Sequence, residues 1–495
     1  MTYKVSSFKF QVSRLRNLML IPLFAGTMTL GKALELPAVL SDNMVLQQQS
    51  EAKLWGWAEK GRTVTAGASW TAETVQTKAG KDGRWSLRLK TPAAGYDLHD
   101  VWVTDGKDTV RRKGVLIGEV WFCSGQSNMQ MPLRGFWTQP IEGANEVIAH
   151  ARTYYNRIRM VTIPNQDGLR PQEKVGGEWQ QSTTETLPDF SAVGFFFAEE
   201  LNLMLDVPIG IINCSWGGSC VEGWLPREIL ETYEDVDLSE KNLSKTGDYN
   251  RPLVMYNGMI APLAGYTVRG FAWNQGESNV GRHDTYPARL GKMVEHWRTL
   301  WENPTLPFYM VEIPPHDYGD ALATNAAFLR EAQYKAAAEI PGAGIISTAD
   351  LSKPYEADVI HASMKKPIGQ RLAWMAAAKT YGLKGFEWES PTYKSMKVRE
   401  DGKVVLEFNH GRDGLNPRTD LQGFEIAGED RVFHPAKGTT EYDPDNYWAP
   451  TIVVWSEEVK KPVAVRYCFR NWMPGKEWSQ GGLPLAPFRT DDWDK

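Results

Sequence analysis

From Val115 to Cys123 the chain reads VLIGEVWFC, nine residues carrying one charge. Apolar residues at both odd and even positions leave a strand no face for water. Such a run belongs in a sheet covered on both sides. The segments that follow meet that demand. IRMVTI, SAVGFFFAEELNLML and VPIGIINCS read as strand, helix and strand, and VRGFAW, YPARLGKMVEHWRTLW, PFYMVEI, AAFLREAQYKAAAEI and GAGIIST continue the alternation. PIGQRLAWMAAAKTYG closes it as a final helix. The pattern predicts an α/β domain with a mostly parallel sheet over residues 115–390.

The flanks have a different period. In GRWSLRLK, Trp85, Leu87 and Leu89 alternate with Ser86, Arg88 and Lys90, and turn signals such as EKG and KDG recur nearby. Residues 34–114 are therefore expected to form an N-terminal antiparallel β-domain. After Pro391 short strands return in KVVLEFN, GFEIAGE, TIVVWS and VAVRYCF, with Asp401-Gly402 suited to a tight hairpin. Residues 391–495 are read as a C-terminal β-domain. A chain of 495 residues is too long for one ordinary core, which agrees with several domains.

Residues 1–33 read as a signal peptide. Lys4, Lys9, Arg14 and Arg16 precede the apolar stretch Leu18–Gly31, which is short for a membrane span, and Gly31 and Ala33 offer the small residues of a cleavage site. Later segments lack membrane-spanning length, so an exported protein is expected. A net charge of −5 argues against a nucleic-acid partner. The four cysteines, Cys123, Cys214, Cys220 and Cys468, show neither a CxxC pair nor zinc spacing, so no thiolate metal site is expected. Cys214 and Cys220 are near enough to pair, and their state is left open.

Two Gly-x-Ser-Asn turns stand out, GQSN at Gly125–Asn128 and GESN at Gly276–Asn279. Each follows a predicted strand, where α/β proteins place their chemistry. Ser127, Ser278 and Ser124 are all candidate nucleophiles by position. A serine needs a base, and the base usually needs an orienting carboxylate. Of eight histidines, His361 has an aspartate three residues before it, Asp358 in DVIH. The G-x-S-x-G elbow, HExxH, P-loop and GxGxxG signatures are missing.

LPAVLSDNMVLQQ, CSGQSNMQMPL, SAVGFFFAEEL, SWGGS, YNGMIAPL, WNQGESN, GFEIAGED and GLPLAPFRTD occur in this order. Together they resemble the sialate O-acetylesterase family, carbohydrate esterases of the SGNH (GDSL-like) hydrolase superfamily. The resemblance implies an SGNH-hydrolase-like α/β domain flanked by the two β-domains. It implies Ser127 as nucleophile, His361 as base and Asp358 as its orienting partner. The oxyanion donors it implies are the N–H groups of Ser127 and of Gly217 or Gly218, with the Gln275 side-chain amide. Ser278 and Ser124 then become turn residues.

Related esterases sometimes hold the histidine with the third-block glutamate, here Glu277, and Asn279 is a further possible donor. The family often has tyrosine where this chain has Asn274, which is assigned to the substrate pocket. The implied reaction removes acetate from O-acetylated sugars without metal or organic cofactor. Sialic acid is the first expected substrate, and acetylated plant polysaccharide such as xylan the alternative. Arginine is the residue suited to grip a sialate carboxylate, and Arg134, Arg227 and Arg282 lie near the three blocks, Arg134 being preferred. A non-catalytic carbohydrate-binding protein is the rival reading, and it predicts loss of some of these residues.

Overall fold

The computed structural model describes residues 33–245, 249–410, 414–443 and 446–493. The expected signal peptide lies almost wholly outside the described residues. Seven strands form the central sheet: β1 (Thr109–Gly125), β2 (Ile158–Thr162), β3 (Gln180–Gln181), β4 (Ile209–Ser215), β5 (Gly270–Asn274), β6 (Phe308–Val311) and β7 (Ala343–Ile346). Their spatial order is β7-β6-β5-β1-β4-β2-β3. All neighbours are parallel except β2 and β3. A short helix α1 (Ser127–Gln130) follows β1, and four longer helices cover the sheet: α2 (Ala192–Leu205), α3 (Tyr286–Leu300), α4 (Asn325–Glu339) and α5 (Lys366–Lys379). The chain is thus an α/β protein with a mostly parallel central sheet and further β-regions.

The first of these seven strands in chain order sits in the middle of that sheet. β4 pairs on one side of β1 and β5 on the other. The direction in which strands are added to the sheet therefore reverses beside β1, the point where such sheets open a crevice at their carboxyl end. Every residue from Val115 to Gly125 is buried, as the two-faced apolar run requires. Phe122 packs edge-on against Phe271, Trp297 and Trp301, and Trp121 packs on Phe197 and Tyr309 on the other face.

The one charge in the run, Glu119, is fully buried and fully partnered. It accepts from Arg269 (2.8 and 3.0 Å), Gln48 (2.7 Å), Gln47 (3.1 Å) and Tyr381 (2.8 Å). Burial alone would raise its pKa; the Arg269 guanidinium overrides that and holds the carboxyl below its usual range.

The N-terminal strands alternate as read. Trp85, Leu87 and Leu89 are buried on the strand Arg84–Lys90, which pairs antiparallel with Glu51–Trp57. The expected boundary at residue 114 is not a linker, however. β1 pairs with the N-terminal strands Gly95–Thr104 and Val45–Gln47 before it enters the parallel sheet. One hydrophobic core also runs from Leu34 through Val64 and Val103 to Trp224 and Leu290. The N-terminal strands are built onto the α/β unit.

From Thr392 the chain forms two antiparallel sheets around a core of their own, with Leu406, Ile426, Val454 and Tyr467 at its centre. They join α4 and the loop after β7 through the Arg489–Glu331 pair (2.8 and 2.9 Å) and the Trp478 indole on Asp350 (2.8 Å).

Candidate active site

β1 ends at Gly125, whose φ of +135° is open to glycine. A Cβ there would stand 2.1 Å from the Asn274 carbonyl oxygen. The turn therefore lies flat against the end of β5, and Gln126 N–H donates to that same oxygen at 2.9 Å. Ser127 opens α1, where its own N–H lacks an intrahelical acceptor. Its Oγ, half-buried, has no hydrogen-bond partner among the described residues.

The two Gly-x-Ser-Asn turns are clasped together. Gln126 Oε1 accepts from the N–H groups of Gly276 (3.2 Å) and Ser278 (3.3 Å). Ser278 Oγ donates to the Gly218 carbonyl (2.8 Å), and buried Ser124 Oγ donates to the Cys214 carbonyl (2.5 Å). Both hydroxyls are occupied in the turns. All four cysteines are buried, and the Cys220 thiol donates to Asn250 Oδ1 (2.9 Å).

Asn128, beside Ser127, ties the crevice together. Its Nδ2 donates to Glu277 Oε1 and to the Ile360 carbonyl (3.1 Å), and its Oδ1 accepts from Lys365 Nζ (2.5 Å). The residue after Ser127 thus holds the residue before His361. Burial raises the Glu277 pKa against Asn128 and Lys365, and lowers that of Lys365 to about 8 against the pull of Glu277. Glu277 does not touch His361; its second oxygen is buried without a partner.

His361 lies in the loop between β7 and α5, and its Nδ1 donates to Gln139 Oε1 at 2.7 Å. That bond fixes the tautomer with Nε2 unprotonated and able to accept a proton. The Phe136 ring packs edge-on against the imidazole at 5.0 Å. Burial, then the nearby Lys365 charge, lowers the His361 pKa to about 4.

Asp358, the expected orienting carboxylate, is exposed, and its charge acts on His316. It makes no hydrogen bond to His361. The intervening loop turns the two side chains apart, because a three-residue spacing fixes no common direction outside a helix.

Gln275 differs from expectation as well. It is fully buried, its Nε2 donates to the Ser219 carbonyl (3.0 Å) and Asn279 Oδ1 (2.8 Å), and its Oε1 accepts from Tyr286 (3.0 Å). No donor remains for an oxyanion. Asn279 is likewise spent, with Nδ2 on Glu222 and Oδ1 accepting from Val221 and Gln275. Asn274 is the contrast: both side-chain amide atoms are buried without a partner, at the residue in register with Gly125.

Gly217 packs on the Ser127 turn, since a Cβ there would lie 3.3 Å from Ser127 Cβ. Its N–H is taken by Gln130 Oε1 at 2.7 Å, whereas the Gly218 N–H has no acceptor among the described residues.

The three arginines are each held by acids. Arg134 is exposed and paired with Asp189, and Arg227 lies 3.7 Å from Glu231. Arg282 bonds the Ser278 carbonyl (2.6 Å) and Cys220 Sγ (2.7 Å), with Glu222 at 3.5 Å.

Sequence reasoning passed over Asn128, Lys365 and Gln139. The first two had a signal, lying one residue after Ser127 and four after His361. Gln139 had none, being 222 residues from its partner.

A family model described as "Carbohydrate esterase, sialic acid-specific acetylesterase" matches residues 117–378, just over half of the chain. The chain belongs to that family. Its members are carboxylic ester hydrolases. The chain is 26% identical over 429 residues to the sialate O-acetylesterase of Homo sapiens, covering 80% of each chain. With that of Mus musculus it shares 25% over 455 residues, covering 80% of this chain and 82% of the mouse protein. Among solved structures, a carbohydrate acetylesterase from Xanthomonas citri superposes with a TM-score of 0.82 at 32% identity, over 93% of this chain and all of that one. The sialic acid-specific acetylesterase family thus supplies the fold, the ester chemistry and the carbohydrate substrate class. Among the described residues no helix is long and apolar enough to cross a membrane.

Proposed function

We propose that this esterase releases acetate from O-acetylated sugars by acyl transfer through Ser127. Ser127 Oγ attacks the acetyl carbonyl carbon and its proton passes to His361 Nε2. The tetrahedral oxyanion is met by the N–H groups of Ser127 and Gly218 and by the Asn274 amide. Collapse expels the sugar oxygen, which takes the proton from His361. Water, deprotonated by the same imidazole, then attacks acetyl-serine and frees acetate.

The observation that carries this reading is the join at Asn128. It fastens the turn of an unpartnered serine to the loop of a histidine whose free nitrogen can accept a proton. The oxyanion role passes from Gln275 to Asn274 because Asn274 alone of the two has an unspent amide.

O-acetylated sialosides are the first substrate to test, since the mammalian relatives are sialate O-acetylesterases. Neutral acetylated hemicellulose such as xylan is the second, favoured by the pairing of all three candidate arginines with acids. The basic and apolar leader over residues 1–33 supports export.

Acetate release from an O-acetylated sialoside and from acetylated xylo-oligosaccharides tests the assignment. Hydrolysis of either supports the ester chemistry and ranks the two classes. Sugar binding with no acetate released would leave a non-catalytic carbohydrate-binding protein.

A further inference from the structure

Phe136 and Gln139 exchange backbone hydrogen bonds (3.1 and 3.0 Å), closing a tight turn with Trp137 and Thr138 at its tip. The turn is built with little latitude. A Cβ on Gly135 would stand 2.2 Å from the Gln139 carbonyl oxygen, and Thr138 has a φ of +61°. β-branched residues seldom adopt that conformation. Both ends of the turn grip His361, Gln139 by its hydrogen bond and Phe136 by its ring.

The tip presents Trp137 with 92% of its surface exposed, although tryptophan normally buries most of its area. A fixed turn that holds an indole in water beside a catalytic histidine points to a ligand for that indole.

The adjoining cleft says what kind. It encloses about 310 Å³ and is lined by Thr138, Gln139, Glu142, Tyr355 and His361 among others. Tyr355 is 73% exposed. The lining offers no free cation to a sugar carboxylate: Lys353 Nζ lies 2.5 Å from Glu142, and Glu356 accepts from the N–H groups of Ser363 (3.0 Å) and Lys353 (2.8 Å). Tyr355 in the lining and Trp137 next to the lining residue Thr138 border a polar cleft without a free cation, which suits the apolar face and hydroxyl rim of an uncharged pyranose.

We propose that this cleft is a subsite for a neutral sugar ring linked to the acetylated residue. Trp137 and Tyr355 form its stacking surface. The proposal rests on the acyl-transfer reading of Ser127 and His361. It makes the preferred substrate an oligosaccharide, because a lone acetylated monosaccharide at Ser127 leaves the cleft empty.

The test is KM as a function of chain length, with acetylated xylose, xylobiose and xylotetraose as substrates and p-nitrophenyl acetate as control. In the wild type, KM should fall from the monosaccharide to the longer chains. Trp137→Ala and Tyr355→Ala should each raise KM for xylotetraose by roughly 3- to 10-fold, the scale of one aromatic contact. Both should leave p-nitrophenyl acetate hydrolysis unchanged, and Trp137→Phe should restore most of the length dependence.

A KM independent of length in the wild type, or a length dependence untouched in the double variant, would overturn the subsite while leaving the esterase intact. Failure of the wild type on every ester, p-nitrophenyl acetate included, would overturn the acyl-transfer reading and the subsite with it.

Discussion

Asn274 and Gln275 show how much one residue matters at the end of a strand. Side chains alternate along β5, so neighbours face opposite ways. Trp273 belongs to the core shared with the N-terminal strands, and Ala272 to the opposite core beneath α2 and α5. Beyond them, Gln275 turns inward to Ser219, Asn279 and Tyr286, and Asn274 keeps an unspent amide beside the Gly125 turn. Asn274→Ala should lower turnover by roughly 10²–10³-fold, the effect of losing one preorganised oxyanion donor, with an unchanged melting temperature. Gln275→Ala should instead destabilise the fold, since it leaves buried partners of about 1–3 kcal/mol unsatisfied. Steady-state kinetics and thermal melts on both variants separate the roles; a stable but inactive Gln275→Ala would return the donor role to Gln275. Motif position in the sequence singles out this block. It could not say which of two adjacent amides stays unpartnered, because that depends on how the strand ends.

At the scale of elements, the structure departs most from the sequence in how His361 is held. Periodicity made β1, the flanking helices and the order of strands legible, since burial on one face or two leaves a direct imprint on residue type. The turn Gly135–Gln139 leaves no such imprint. It belongs to no periodic segment, and its bond to His361 joins distant parts of the chain. The chemical consequence follows from its neutrality. A carboxylate on Nδ1 would stabilise the imidazolium, whereas an amide adds no charge, and burial with Lys365 lowers the pKa to about 4. In the proposed reaction the neutral imidazole is the base, so kcat/KM should fall on the acid side only near pH 4 and not near 6.5. Gln139→Glu should favour the protonated ring and move that limb upward, while Asp358→Asn should leave it in place. A limb that follows Asp358→Asn and ignores Gln139→Glu would restore the aspartate as the orienting group.

Across the whole molecule, β1 is the member on which the other parts depend. It carries N-terminal partners along its first half, the parallel sheet along its second, and Ser127 just beyond its end. Composition showed the change of period at residue 114 but not that one strand spans it, because a strand may be half-covered at one end and fully covered at the other. Glu119 is the internal tie, and Glu119→Ala would strand Arg269, Gln47 and Tyr381 in partly buried positions. The loss should be on the order of 3 kcal/mol, and calorimetry should show the N-terminal strands and the α/β unit melting together. Separate transitions for the two regions would mean that they are not one cooperative body. Ser127 and Asn274 lie at the carboxyl ends of β1 and β5 and His361 in the loop after β7, and the proposed reaction puts the acetyl group on Ser127. Rapid quenching during p-nitrophenyl acetate turnover, followed by peptide mass spectrometry, reads this directly. The account predicts one acetyl group on the peptide containing Ser127, absent in Ser127→Ala; acetyl on Ser278 or Ser124, or undiminished turnover in Ser127→Ala, would contradict it.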